Sequence, residues 1–249
     1  MTYPGRWLAL LMAPLMLSSC LLQPTKFVST LDIRADRSFT FSYVGEVVLP
    51  RAEQSPADTP PDEGLEQEDK PEDARLLSIA ANGEQPGAAE AKEPDSAQDR
   101  AQIEQLAKAL ASEYGYRSVR YVGNRKLAID YRISGRLDHA FVFPFHPDGQ
   151  VFIPFLAIEL RGKDRVRVKA PGFANEETSS EGLGALPTSA NHASELDGTF
   201  TLTTNAEIVS QNQEDGASSR PDGSKSLSWT ITPMTRDAPM AVLRVSSLP

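Results

Sequence analysis

The stretch KFVSTLDIRADRSFTFSYVGEV, residues 26–47, decides the fold that the sequence predicts. Apolar side chains recur with a period of two on both sides of the polar segment 35–38. This period places them on one face of each strand, and the polar segment is typical of a turn. We therefore expect an antiparallel hairpin with one buried face, which consists of Phe27, Leu31, Ile33, Phe39, Phe41, Tyr43, Val47 and Leu49.

One later segment has the pattern of an amphipathic helix. Its apolar residues recur at the three, four and seven spacing of such a helix. Asp99 or Ser96 can cap its first turn, and Gly115 stands where a left-handed C′ residue is expected. The apolar stripe consists of Ile103, Leu106, Ala107, Leu110, Ala111 and Tyr114.

Further segments read as strands, at 127–133, 139–145, 150–161, 165–169, 198–209, 226–232 and 240–245. A helix with a single apolar stripe must bury that stripe on a sheet. The predicted fold class is therefore α+β, with an antiparallel sheet of several strands backed by one amphipathic helix and with long disordered inserts.

The acidity of the chain is local. Residues 51–99 hold fourteen Asp or Glu and four Lys or Arg, a net charge of −10, whereas the whole chain carries −9. A charged segment that is rich in Pro and Gly cannot bury enough apolar surface to fold. We predict a disordered acidic insert at 51–98 and flexible loops at 171–196 and 211–224, all within one domain, 20–249.

The first nineteen residues have the layout of a secretory signal peptide. Arg6 is their only charge, and an apolar run from Trp7 to Leu17 leads into Ser18-Ser19-Cys20. The run is too short for a spanning helix, which needs roughly 20 residues. Residues 17–20 resemble the lipobox of bacterial lipoproteins, which implies cleavage before Cys20 and acylation of its thiol. The alternative is an ordinary signal peptide followed by a chance cysteine.

Cys20 is the only cysteine in the chain, so a disulfide cannot explain it. By resemblance to Gram-negative lipoproteins, Leu21 at the next position favours the periplasmic side of the outer membrane. The expected partners are the membrane, through lipidated Cys20, and lipid or an envelope protein. A nucleic-acid partner is not expected for an exported acidic chain.

Catalytic and metal signatures are not recognisable. His139 and His146 are separated by an odd number of residues, so on one strand they would point to opposite faces. The adjacent side chains of Asp138 and His139 would likewise diverge on a strand, and there is no Gly-x-Ser-x-Gly elbow. We expect no enzyme, no metal site and no cofactor.

Two surfaces remain as candidate sites. Residues 141–145 and 151–155 are apolar at nearly every position, which predicts either strands buried on both faces or a ligand or contact surface. The strand at 165–169 places its basic residues on one face, usually a solvated one, although a headgroup contact is an alternative. The first surface comprises Phe141, Phe143, Phe145, Phe152 and Phe155, and the second Arg165, Arg167 and Lys169.

The hairpin at 26–47, the helix and the late segments ELDGTFTLTTNAEIVSQN (195–212) and KSLSWTITP (225–233) resemble a group of uncharacterised alphaproteobacterial lipoproteins. More distantly they are similar to the LppM-type lipoprotein domain of mycobacteria. In the first turn this chain has Asp36-Arg37 where that resemblance leads us to expect Asp-Gly. The resemblance implies a membrane-tethered α+β domain with an apolar interior that accommodates lipid.

Together these observations predict a non-enzymatic, membrane-anchored envelope lipoprotein that binds lipid or another hydrophobic ligand. The alternative is a structural or assembly lipoprotein that makes protein contacts in the envelope.

Overall fold

The structure, a computed structural model, describes residues 22–49, 95–144, 154–175 and 195–248. Within these ranges it contains one α-helix, one 3-10 turn and twelve strands. The helix α1 is Ala97–Ala111, and the 3-10 turn is Pro171–Phe173. The strands are β1 Gln23–Ile33, β2 Ser38–Val48, β3 Tyr116–Gly123, β4 Lys126–Arg136, β5 Phe141–Phe143, β6 Leu156–Arg161, β7 Arg165–Lys169, β8 Asp197–Thr204, β9 Glu207–Gln211, β10 Ser218–Ser219, β11 Lys225–Ile231 and β12 Met240–Arg244.

The predicted hairpin is confirmed. Strands β1 and β2 pair antiparallel, with Leu31 opposite Phe41 and Ile33 opposite Phe39. The alternating apolar side chains of both strands are buried, together with the polar residues Thr25 and Ser29 on the same face of β1. The intervening residues are half-buried or exposed, except for Pro24 and Val48. The hairpin therefore supplies a large part of the core from one short stretch of chain.

The α+β prediction is wrong, because a second sheet covers the first. Sheet A has seven strands in the order β10-β11-β8-β1-β2-β4-β3, and sheet B has five in the order β5-β6-β7-β12-β9. Sheet A is also not purely antiparallel, since β1 runs parallel to β8. The helix packs at the edge strand β3 and fully buries only Ile103 and Ala107, too little surface to back a sheet of this width.

Aromatic side chains join the two sheets. Phe143 of sheet B lies 5.1 Å from Phe41 and 5.4 Å from Tyr43 of sheet A, measured between ring centroids. Phe155, just before β6, lies 5.6 Å from Tyr43. Such contacts combine a large buried apolar area with preferred ring geometry. One continuous core of buried residues therefore spans both sheets.

The helix begins after one of the two caps that the sequence offers and ends earlier than the sequence predicts. Ser96 is the N-cap, and its Oγ accepts a hydrogen bond from the backbone N–H of Asp99 at 3.0 Å. The C-cap is Ser112, so Gly115 is not C′, although its φ of +93° is left-handed. Tyr114, which we placed on the apolar stripe, is 79% exposed. Within the described ranges no helix is long and apolar enough to cross a membrane.

Three segments that we assigned to the insert or to loops contain ordered residues. Asp95 accepts a hydrogen bond from the backbone N–H of Arg125 at 2.7 Å, and the side chain of Arg125 donates to the carbonyl of Leu49 at 2.9 Å. The two ends of the acidic insert are thus held beside one residue. In the predicted loops, Phe173 is completely buried and β10 pairs with β11. The other residues of the first loop lie largely outside the described ranges.

Arg37 is the largest completely buried side chain. Its guanidinium donates to the carbonyl of Ser246 at 2.5 Å, to that of Leu137 at 2.9 Å and to that of Lys163. It thus ties the β1–β2 turn to the segment after β4, the β6–β7 turn and the C-terminal segment. Its φ of +74° is the conformation that glycine adopts most easily, so the three hydrogen bonds of its side chain explain why arginine stands here in place of the expected glycine.

Candidate functional site

The predicted aromatic surface belongs to the core wherever the structure describes it. Phe143 and Phe155 are each 1% exposed, and Phe141 is half-buried against Phe39 at 5.3 Å. The nearest ring to Phe143 is Tyr131, with 4.5 Å between the centroids. Phe145 and Phe152, the other two predicted residues, lie outside the described ranges. The described rings thus fill the space between the sheets.

The basic strand has the predicted orientation. Val166 and Val168 of β7 are buried, whereas Arg165 and Lys169 are exposed on the outer face of sheet B. Arg167 is half-buried, and its Nη2 lies 2.6 Å from the carboxylate of Glu159 on β6. Arg165 makes no ion pair within the described ranges. Of the three residues that we named for a headgroup contact, only two therefore offer an uncompensated charge.

Asp138 and His139 do not diverge as we expected. They lie in a bend between β4 and β5, and their side chains approach to 2.5 Å between Oδ1 and Nδ1. The hydrogen bond from His139 lowers the pKa of the Asp138 carboxyl. Both side chains are exposed. Within the described ranges no group of three His, Cys, Asp or Glu residues could hold a metal ion. Cys20, His146 and His192 lie outside those ranges.

A shallow groove crosses the outer face of sheet A. It is open to solvent and has a volume of about 570 Å³. It crosses β1, β2, β4 and β8, which the sheet order places side by side. The residues that line it are Thr30, Leu31, Asp32, Arg34, Ser38, Phe39, Thr40, Arg132, Ser134, Gly135 and Thr203.

Hydroxyl groups dominate this face because residues from separate strands stand in register. Thr30 is opposite Ser42 on one side and opposite Thr201 on the other. The Thr30 and Ser42 hydroxyls are 2.7 Å apart, and those of Thr40 and Ser134 are 2.9 Å apart. A hydroxyl has one donor and two acceptor positions, so each pair keeps capacity for a further partner.

The charged residues of the groove differ in whether they form an ion pair. Arg34 forms a two-point contact with Asp32, at 2.6 Å from Nε to Oδ1 and 2.8 Å from Nη2 to Oδ2. Arg132, on β4, is exposed and has no ion pair within the described ranges. The groove thus presents one uncompensated cation among hydroxyls. Our sequence analysis missed it, although alternating Thr and Ser at 30, 40 and 42 were visible as the polar face of the hairpin.

Comparison with solved structures finds a similarity to a lipoprotein domain. No protein-family model and no curated protein matches the chain. The folded domain of LppM from Mycobacterium tuberculosis, solved by NMR, matches over 92% of this chain and 94% of that chain, with 10% sequence identity and a TM-score of 0.35. LppM is also the type of domain that the sequence distantly resembles. The alphaproteobacterial grouping stays a prediction.

Proposed function

We propose that this chain is a non-enzymatic, lipid-anchored domain of the cell envelope that binds a polar ligand in the groove of sheet A. Residues 1–19 serve as the signal peptide, and Cys20 carries the lipid on the periplasmic side of the outer membrane. The pattern of residues 17–20 and the lone cysteine support the anchor. The described domain, with one core spanning both sheets, then stands on the membrane as a single unit.

The groove itself is the observation that carries this function. The rings around Phe143 pack between the sheets, whereas the outer face of sheet A offers about 570 Å³ of open volume, lined by hydroxyl-bearing and charged residues together with Leu31, Phe39 and Gly135. A ligand with hydroxyl groups of its own can exchange its hydrogen bonds with water for bonds to such a surface. An acyl chain could not satisfy these hydroxyls.

Of the two functions that the sequence predicted, only the structural one has a specific basis in the described residues. Lipid binding would depend on Phe145 and Phe152, which lie outside the described ranges. A structural role through protein contacts is favoured by Val28 and Val44, which are directly opposite each other on the outer face of sheet A and are 58% and 52% exposed. This apolar pair is small compared with a stable interface, which buries about 800 Å² on each partner.

Native mass spectrometry of the full chain, released from membranes in detergent, tests the proposal. We expect a bound water-soluble molecule in the wild type. The Thr40→Val variant, which removes a groove hydroxyl but keeps the side-chain shape, should lose it. Thr230→Val is the matched control, because Thr230 is exposed on the same sheet but does not line the groove. A bound molecule that extracts into chloroform, or one that Thr40→Val retains, would contradict the proposal.

A further inference from the structure

We propose that the groove of sheet A takes an acidic saccharide, with Arg132 holding its carboxylate and the Thr and Ser hydroxyls holding its sugar hydroxyls. This inference rests on the proposed function and names its ligand class. Three features of the described residues carry it: the charge of the groove, its hydrogen-bonding capacity and its position along β1.

The charge of the groove favours an anion. Three charged residues line it, Arg34, Asp32 and Arg132. Because Arg34 and Asp32 neutralise each other through two short contacts, the net charge that a ligand meets is that of Arg132. A guanidinium can form two parallel hydrogen bonds to a carboxylate, which makes it well suited to this group.

The hydrogen-bonding capacity favours a saccharide over a simple anion. Thr30, Thr40, Ser38, Ser134 and Thr203 all line the groove beside the charged group. The hydroxyls of Thr40 and Ser134 share one hydrogen bond, and each retains acceptor positions for a further partner. A small inorganic anion would use Arg132 alone, whereas a ring with several hydroxyls can use the whole lining.

The position along β1 favours a soluble ligand over a lipid headgroup. Thr30 lies seven residues beyond Gln23, the first residue of β1. At about 3.3 Å per residue, the nearest part of the groove is roughly 23 Å along the strand from the end that leads to Cys20. The groove is therefore displaced from the anchored end toward the envelope polymers beyond the membrane surface.

Isothermal titration calorimetry of the full chain in detergent tests this assignment with two probes of matched length. Maltotriose is neutral, and trigalacturonate carries three carboxylates. We expect the wild type to bind trigalacturonate at least about tenfold more tightly than maltotriose, since a hydrogen bond to a charged group is the stronger kind. Arg132→Gln should remove this preference by weakening the binding of trigalacturonate.

Arg165→Gln is the matched control. Arg165 is also exposed and has no ion pair within the described ranges, but it lies on the outer face of the other sheet. It should keep the full preference, and both variants should melt at the wild-type temperature. Equal affinity for the two probes would overturn the assignment of an acidic ligand but not the proposal that the groove binds a polar ligand. Binding of neither probe would overturn both proposals. An equal loss of the preference in Arg165→Gln would overturn the role of Arg132, because the preference would then depend on overall charge.

Discussion

Replacing Arg37 tests whether one buried guanidinium holds the two sheets and the C-terminal segment together. The side chain donates to three backbone carbonyls, those of Leu137, Lys163 and Ser246. The bond to Leu137 is buried and the other two are partly buried, and hydrogen bonds that involve a charged group contribute about 1.5–3 kcal/mol. Arg37→Ala should therefore lower the free energy of unfolding by about 3 kcal/mol, a large part of the 5–15 kcal/mol that is typical of a domain.

A second substitution separates the lost hydrogen bonds from the backbone conformation. Arg37 has a φ of +74°, which alanine adopts at a cost of roughly 1 kcal/mol and glycine adopts freely. Arg37→Gly should therefore be about 1 kcal/mol more stable than Arg37→Ala while remaining below the wild type. The reverse order would show that the conformation at this position is different.

Urea unfolding, followed by the fluorescence of Trp229, measures both effects. This indole stacks on Phe200 at 5.5 Å and will change its environment when sheet A opens. Arg136→Ala is the control, because Arg136 is a neighbouring exposed arginine with a hydrogen bond to the carbonyl of Asp36. Its midpoint should move little. If Arg37→Ala unfolds at the same urea concentration as Arg136→Ala, the reasoning about the three hydrogen bonds of Arg37 is refuted.

Four further outcomes are expected. Phe143→Ser should destabilise the fold by about 3–5 kcal/mol in the same assay; unchanged stability with weaker lipid retention would instead favour a lipid pocket. Replacing residues 51–94 by a short Gly-Ser linker should keep the melting temperature within a few degrees, since lengthening a loop costs only about 0.6 kcal/mol per doubling; a large drop would show that the insert packs. Metabolic labelling with an alkyne fatty acid should tag the wild type but not Cys20→Ala, and equal labelling would exclude acylation at this residue. Burial raises the pKa of Tyr43 and Tyr116, so stability should be constant with respect to these groups below about pH 10, where unfolded tyrosine titrates, and should fall above it; unfolding midpoints that stay flat to about pH 11 would contradict this.

Local patterns predicted the elements better than their arrangement. The period-two spacing from Phe27 to Leu49 predicted the β1–β2 hairpin, and Ser96 predicted the start of α1, because both signals are contained in neighbouring residues. The pairing of β12 with β7 and β9 joins segments that lie far apart in the chain, and no local pattern specifies it. We therefore recognised most of the strands of sheet B but assigned them to one sheet.

The candidate groove illustrates the same limit. Thr30, Thr40 and Ser134 read individually as ordinary solvent-facing positions of strands. They form a binding surface only because β8 lies parallel to β1 and because β2 places Ser42 between Thr30 and Arg132. The buried role of Arg37 was equally hidden, since a charged residue in a turn normally indicates solvent exposure.

The central position of β1 in sheet A determines how the domain would respond to force. The strand is hydrogen-bonded to β2 on one side and to β8 on the other, and its first residue is the one that leads back toward Cys20. A pull on a lipid at that end would act along the strand, so the two ladders would be sheared together instead of being peeled apart one bond at a time. Such a pull would thus meet resistance from the middle of the sheet, and the rate of forced unfolding would depend on the rupture of both ladders at once.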